Sequence, residues 1–476
     1  MDVLTGRKEE QEILEKALAS EEAEMVSITG RRRVGKTFLV NTVYKGKIAF
    51  EMTGIQSASQ SEQLRNFANQ LRIFSASPIM VPPPKDWLDA FFMLIDFLET
   101  VDLKKKPVVF FDEVPWIATA RSGFLKGLSY FWNSWAVRKK MVVVICGSAA
   151  SWMIRKILLD KGGLHNRVTR RIRLHPFNLA ETRDYLARKG IRPDIYQLLQ
   201  LYMAVGGIPH YLKEIEGGKS ATQNIDNLCF SSTGLLRDEF ANLYPALFQH
   251  SDYHVSIVRA LASKPNGMTR EQLVKASQLS DSGWFSKILD ELVVSGFLTA
   301  YPAIGKKKKD RLYRLTDEYS LFYLRFIENN PDGKKGTWQA LSQTQRYKIW
   351  CGYAFENICL KHVDQIKKAL GIAGVYSHSA SFFTKAKAGR PGVQIDLVID
   401  RNDHIINLIE IKFHDTVFAI SKPYAEKLRN KIRVFGEKTK TRKQLQLVFI
   451  TVFGLRPNRH SVGLVDAALE ADILFE

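Results

Sequence analysis

The sequence predicts an α/β protein that opens with a parallel sheet and closes with a second, smaller α/β unit. Three observations carry that reading. Apolar runs suited to buried strands alternate with helical patterns from Met25 to Ile145. The first of these runs leads straight into a Gly-rich loop and then a helix. Far downstream, Val393–Phe413 alternates as two strands about a polar turn, the pattern of a hairpin.

The opening strand (Met25, Val26, Ile28) runs into Gly30-x4-Gly35-Lys36-Thr37 and then the helix-like Phe38, Leu39 and Val40. Glycines at these places let successive N–H groups wrap phosphates at a helix N-terminus. Lys36 is placed to reach the β- and γ-phosphates of a nucleotide, and Thr37 to offer its hydroxyl to magnesium. Gly30, Arg31, Arg32, Arg33, Val34, Gly35, Lys36, Thr37 and Phe38 are therefore expected to line the nucleotide.

Lys47–Met52 reads as the next strand and Trp87–Leu98 as a helix. Val108–Phe111 is a buried-strand run ending in Asp112-Glu113, where Asp112 suits holding magnesium through water and Glu113 suits polarising the attacking water. Met141–Ile145 supplies a third strand, ending in Cys146-Gly147-Ser148. At the tip of a strand lying between the other two, Ser148 would sense the γ-phosphate; as a cap on the next helix it would only close a turn. Both readings stay open. The segment His165–Arg173 is rich in arginine, and Arg167 or Arg170 suits a finger for the γ-phosphate, in cis or on a neighbouring subunit of a homo-oligomer. A solvated strand face is the alternative.

A chain of 476 residues is too long for one core, and 45% hydrophobic with 25% charged residues is an ordinary soluble composition. The start MDVLTGRKEE lacks the features of a secretion signal, and no run approaches the ~20 apolar residues of a membrane span, so a cytoplasmic protein without a membrane partner is expected. Cys146, Cys229, Cys351 and Cys359 have no metal-type spacing and read as reduced core residues. Lys and Arg number 69 against 49 Asp and Glu, a formal charge of +20. That balance points to a polyanionic partner, nucleic acid first, with a generally basic solubilising surface as the alternative.

GRKEE near the start, GRRRVGKT, VVFFDEVPW, CGSA, RVTRRIRLHPF and Gly206-Gly207-Ile208-Pro209-His210-Tyr211-Leu212 together resemble the prokaryotic archaeal-type ATPases. That family is an AAA-like, signal-transducing branch of the P-loop ATPases. The resemblance implies ATP as the ligand, Gly6 and Arg7 on its adenine side, and Gly207 and Pro209 touching the nucleotide from a helical lid. The expected order is residues 1–179 as ATPase core, 180–247 as lid, 248–328 as a winged helix, 329–345 as a linker, marked by the turn-rich, polar Asn329–Gly336, and 346–476 as a last α/β domain.

The patterns over Val255–Ala262, Arg270–Ala276 and Ser282–Ser295 read as three helices, followed by Gly296-Phe297-Leu298 and the basic turn Gly305–Lys309. Three helices and a hairpin with a cationic tip describe a winged helix, which either lays its third helix in DNA or serves as a packing module. In Val393–Phe413, Gln394 and Asp396 share one face of the first strand, and Glu410 and Lys412 one face of the second. Folding about Asp403 sets Asp396 opposite Glu410, roughly 5 Å apart at Cβ. Two carboxylates and an amine so gathered suit metal-assisted phosphodiester cleavage: Asp396 and Glu410 as magnesium ligands, Lys412 orienting the attacking water. Three charges on a solvent face are the alternative. Asp396-x13-Glu410-x-Lys412 resembles the restriction-endonuclease-like fold, in which an earlier helix adds a carboxylate, here Glu356. The expectation is an ATPase joined to a magnesium-dependent nuclease acting on DNA or RNA; the competing one is an ATP-controlled switch whose last domain does not cut.

Overall fold

The computed structural model describes residues 4–102, 105–119, 121–158, 163–164, 166–302, 304, 311–384 and 392–476. The basic turn Gly305, Lys306–Lys309 and His165 lie outside the described residues. The chain divides into two compact units, Met1–Pro176 and Phe177–Glu476.

The first unit runs α1 (Lys8–Ala19), β1 (Glu24–Gly30), α2 (Lys36–Val43), β2 (Ile48–Thr53), α3 (Gln60–Phe74), α4 (Trp87–Glu99) and β3 (Val108–Asp112). The short α5 (Val114–Ile117), α6 (Phe124–Ser134), β4 (Val142–Gly147), α7 (Ala150–Met153) and β5 (Arg170–Leu174) follow. The sheet has the order β2-β3-β4-β1-β5 with parallel neighbours throughout. β1, β3 and β4 are buried along their whole length, which is why their sequences are nearly continuous apolar runs. An aromatic layer of Phe50, Phe91, Phe111, Phe124 and Trp87 fills one face, with the Trp87 and Phe124 rings edge-on at 4.8 Å. α3 arises from a stretch whose polarity hides it. Its start is held by reciprocal Ser59–Glu62 capping, and Leu64, Phe67 and Leu71 form its buried stripe. Because β4 lies between β1 and β3, three strand ends deliver the Gly-rich loop, Asp112-Glu113 and Ser148 to one rim.

The second unit starts with α8 (Leu179–Arg188), α9 (Ile195–Val205), α10 (Pro209–Leu212), α11 (Ala221–Cys229) and α12 (Glu239–Leu243). α13 (Ser251–Ala262), β6 (Met268–Thr269), α14 (Arg270–Ser277), α15 (Gly283–Val294), β7 (Leu298–Tyr301) and β8 (Leu312–Leu315) come next, closing an antiparallel sheet of order β6-β8-β7. After α16 (Glu318–Phe322) and α17 (Thr337–Leu341), the long α18 (Gln345–Lys361) and α19 (Val363–Ala369) lead into β9 (Ser377–Phe383), β10 (Gln394–Arg401), β11 (Ile405–Lys412) and β12 (Phe418–Ala419). The chain then gives α20 (Lys422–Thr439), β13 (Gln444–Thr451), β14 (Leu455–Arg456) and β15 (Ala467–Glu470). The resulting sheet, β15-β13-β11-β10-β9, is antiparallel through β9, β10 and β11 and parallel through β11, β13 and β15. α20 is the crossover that a parallel β11–β13 pair needs. It packs Ala425, Leu428 and Phe435 on Phe382, Val398, Leu408 and Phe449.

Residues 329–345, expected as a linker, are instead packed into this unit. Trp338 is 1% exposed and stacks on Phe230 at 6.0 Å, while Asp226 accepts from the N–H groups of Gly336 and Trp338 at 2.5 and 2.7 Å. One buried indole outweighs the turn-rich composition around it. No described helix is long and apolar enough to cross a membrane, and all four cysteines are buried.

Candidate functional site

In the first unit the rim of the sheet gathers the residues its sequence singled out. Thr37 Oγ1 donates to Asp112 Oδ2 at 2.6 Å. Lys36, 5% exposed, donates from Nζ to the carbonyls of Gly30 and Arg31 at 3.1 and 3.0 Å and lies 3.9 Å from Glu113 Oε1. Its ammonium therefore sits inside the loop that would hold phosphates. Glu113 leaves β3 in the left-handed region, φ 49 and ψ 48, a conformation that costs a non-glycine residue about 1–3 kcal/mol. That turn aims its carboxylate at the tip of β4, where Ser148 donates to Glu113 Oε2 from both its backbone N–H (3.0 Å) and its Oγ (2.8 Å). Ser148 is thus no helix cap; Ala149 starts α7 without a side-chain cap.

The two loop glycines serve different needs. A Cβ on Gly30 would meet the Leu174 carbonyl oxygen at 2.4 Å, whereas Gly35 needs its positive φ of 93° and has open space. Arg7, at the start of α1, donates to the Val34 carbonyl at 3.4 Å, so the Gly6–Arg7 turn adjoins the loop. Arg32 lies over the Trp116 ring at 5.7 Å, and Phe38 is 42% exposed. The glycine loop at the start of α2, the Lys36 ammonium and a hard-oxygen pair in Thr37 and Asp112 fit a magnesium-bound nucleoside triphosphate.

The finger expectation is corrected for action in cis. Arg170 pairs in register with Val26 at the amino end of the sheet and donates to Glu24 Oε1 at 2.8 Å, and Arg167 precedes it on an exposed turn. The phosphate loop leaves from the opposite end, at Gly30. Arg173, which pairs in register with Thr29, lies at that end. Parallel strand direction was the signal: the later arginine of the run is the one nearer the ligand rim.

In the second unit β10 and β11 pair with Leu397 opposite Ile409, so the next pair along the same register is Asp396 with Glu410. Asp396 Oδ2 accepts from the Ile411 N–H at 3.0 Å. Glu410 is 3% exposed: Oε1 accepts from Lys412 Nζ and Tyr424 Oη, and Oε2 from Lys431 Nζ, each at 2.7 Å. Glu410 is therefore no charge on a solvent face, while Asp396 and Lys412 are half-buried beside it. Burial, then the Glu356 and Glu410 carboxylates, holds Asp396 well above the usual carboxylate range. Burial alone would raise Glu410 too, but Lys412 and Lys431 more than offset it and hold it below its ordinary value. Tyr424 and Lys431 escaped sequence reading because they come from α20, one stacked two turns past the other on the same helix face.

Glu356 sits on α18 and is claimed by another partner. Its Oε1 accepts from Arg314 Nη1 at 2.8 Å, a pair in which the side chains are 3% and 7% exposed. Among the described residues no three His, Cys, Asp or Glu side chains converge to hold a metal ion. Asp396 and Glu410 alone are nevertheless the donor set magnesium uses when water and substrate phosphate complete its shell. Gly207 and Pro209 have local reasons for their identity. A Cβ on Gly207 would strike the Phe177 carbonyl oxygen at 1.8 Å, and Pro209 opens α10, where its missing N–H goes unneeded.

Residues 4–215 match the model of an ATPase domain found predominantly in Archaea. An uncharacterized protein of Methanocaldococcus jannaschii is 24% identical over 419 residues, 87% of this chain and 88% of the relative. Among solved structures, a Walker-type ATPase of Pyrococcus abyssi superposes with a TM-score of 0.49 at 15% identity, covering 68% of this chain and 96% of its own. The ORC2 protein of Aeropyrum pernix, in ADPNP–ADP complexes, gives 0.41 at 15% identity, with 72% and 96% covered.

Proposed function

We propose that this chain hydrolyses ATP at the Lys36–Thr37–Asp112–Glu113 site and cuts nucleic acid, DNA in the first place, at a second site built on Asp396, Glu410 and Lys412. At the first site Lys36 and the loop N–H groups would hold the phosphates, and Thr37 and Asp112 would hold magnesium. Magnesium supplies neutralisation of charge on the transferring phosphoryl group. Glu113, held by Ser148, orients the attacking water and takes its proton, while Ser148 links that base to the strand tip facing the γ-phosphate. Gly207 and Pro209 contact the nucleotide from the helical lid in this reading, and Arg167 or Arg170 serves only a neighbouring subunit.

The observation that carries the second site is the cross-strand pair of half-buried Asp396 and buried Glu410, with Lys412 2.7 Å from Glu410. Both carboxylates would hold magnesium, which would supply a lowered water pKa and charge neutralisation at the phosphodiester. Lys412 then orients the water once it is released from Glu410. The α13–β8 segment acts as a winged helix that brings nucleic acid to this site. Supercoiled plasmid, single-stranded DNA and RNA incubated with the protein and magnesium, with and without ATP, test the reading: cutting that needs magnesium and is lost in Asp396→Asn supports it, and intact substrates throughout overturn it. The saturation of Glu410 by two amines and a hydroxyl favours a second reading, an ATP-controlled switch with a non-cutting last domain.

A further inference from the structure

A cavity of about 320 Å³ opens in the second unit, walled by β8, the turn before β6, and the facing parts of β9 and β10. Asp396 lies in its wall together with Arg314, Lys264, Asn266, Gln394 and Phe383. Arg314 is 3% exposed. Its Nη1 donates to Glu356 at 2.8 Å and its Nε to the Pro265 carbonyl at 3.2 Å, which leaves Nη2 buried without a partner. A buried donor with no acceptor costs roughly 1–3 kcal/mol, and a guanidinium is matched best by an anion that presents several oxygens in one plane.

The surroundings narrow that anion. A Cβ on Gly267 would meet Arg314 Cγ at 2.8 Å, so the arginine stem is wedged in place and Glu356 works as its clamp. Lys264 adds an exposed ammonium. Asn266 Nδ2 donates to Gln394 Oε1 at 2.8 Å, an amide pair of the sort that reads base edges. The volume sits at the small end of ligand pockets, about 300–1,000 Å³, room for one nucleotide and far too little for a duplex.

We propose that this cavity is a subsite for one unpaired nucleotide of the strand to be cut, with Arg314 and Lys264 gripping its phosphate beside Asp396. The inference rests on the nuclease reading for what happens to that strand. The site then spans two modules, since β8 belongs to the winged helix and Asp396 to the last domain, and substrate has to be single-stranded where it enters.

The test measures binding of a fluorescein-labelled oligothymidylate and of its duplex to the full chain, with calcium replacing magnesium, alongside cutting in magnesium. Arg314→Met combined with Glu356→Gln removes the ion pair as a unit and so avoids an unpaired buried carboxylate. It should weaken single-strand binding tenfold or more. Lys264→Ala should weaken it about threefold and make the salt dependence shallower by roughly one phosphate contact. The duplex should bind worse than the single strand. Parental affinity in a double variant with an unchanged melting temperature overturns the proposal; if that variant does not fold, parental affinity and salt slope in Lys264→Ala overturn it instead. Equal competition by free thymidine monophosphate overturns the assignment to a strand. Arg314-dependent binding without any cutting in magnesium removes the nuclease reading and keeps the subsite, while cutting with parental binding in both variants does the reverse.

Discussion

The two carboxylate pairs of this chain are delivered by opposite means. Asp112 and Glu113 are neighbours at the end of one parallel strand, and a left-handed turn at Glu113 splits their directions. Asp396 and Glu410 come from two antiparallel strands and meet only when the hairpin closes. The first pair is satisfied by neutral donors, Thr37 on Asp112 and Ser148 on Glu113, with Lys36 held off at 3.9 Å. The second is gripped by ammonium groups at 2.7 Å on both oxygens of Glu410. A base that has to accept a proton is better kept by hydroxyl and amide donors than by fixed cations, which hold a carboxylate ionised and suit it to bind a metal instead.

Glu113→Gln breaks the first half of that contrast with the largest effect. It keeps the shape and the Ser148 contact but removes the base, so ATP turnover should fall roughly 10²–10⁴-fold while ATP binding persists. Phosphate release and nucleotide binding are the measurements, and a variant that no longer binds ATP would give Glu113 a structural role. On the other side, Glu410→Gln should abolish magnesium-dependent cutting and leave ATP turnover within about twofold, because the groups belong to different units. If turnover falls with it, the sites are not chemically separate.

The comparison sharpens with pH. Burial holds His362 down to about 4, with Nε2 accepting from the Leu179 N–H at 3.2 Å. A histidine depressed on folding contributes stability that is present above its unfolded value near 6.5 and is lost as pH falls toward 4, here on the order of 3 kcal/mol. Unfolding midpoints followed from pH 7 to 4 should drop accordingly, and His362→Asn should flatten the drop. The smallest effect is expected at Arg170. Loss of its partly exposed pair with Glu24 should cost about 1 kcal/mol, with turnover of isolated monomer unchanged. A large loss of monomer turnover would restore it as a finger in cis.

Local pattern by itself determined the phosphate loop, the Asp-Glu strand end and the hairpin. Each depends on residues adjacent in sequence or related by one turn: Gly30 to Thr37, Asp112 with Glu113, and Asp396 across Asp403 from Glu410. What pairs with them depended on which strands and helices lie side by side, and no local period encodes that. Sheet order set β4 between β1 and β3 and so gave Ser148 to Glu113. Parallel direction put Arg170 at the far end from the loop and Arg173 at the near one. Packing in the second unit brought α20 over β11, assigning Tyr424 and Lys431 to Glu410, and set β8 against α18, assigning Arg314 to Glu356. A charge buried in the interior needs a partner wherever the fold can bring one, and these partners lie 14 to 42 residues away, beyond the reach of any repeat along the chain.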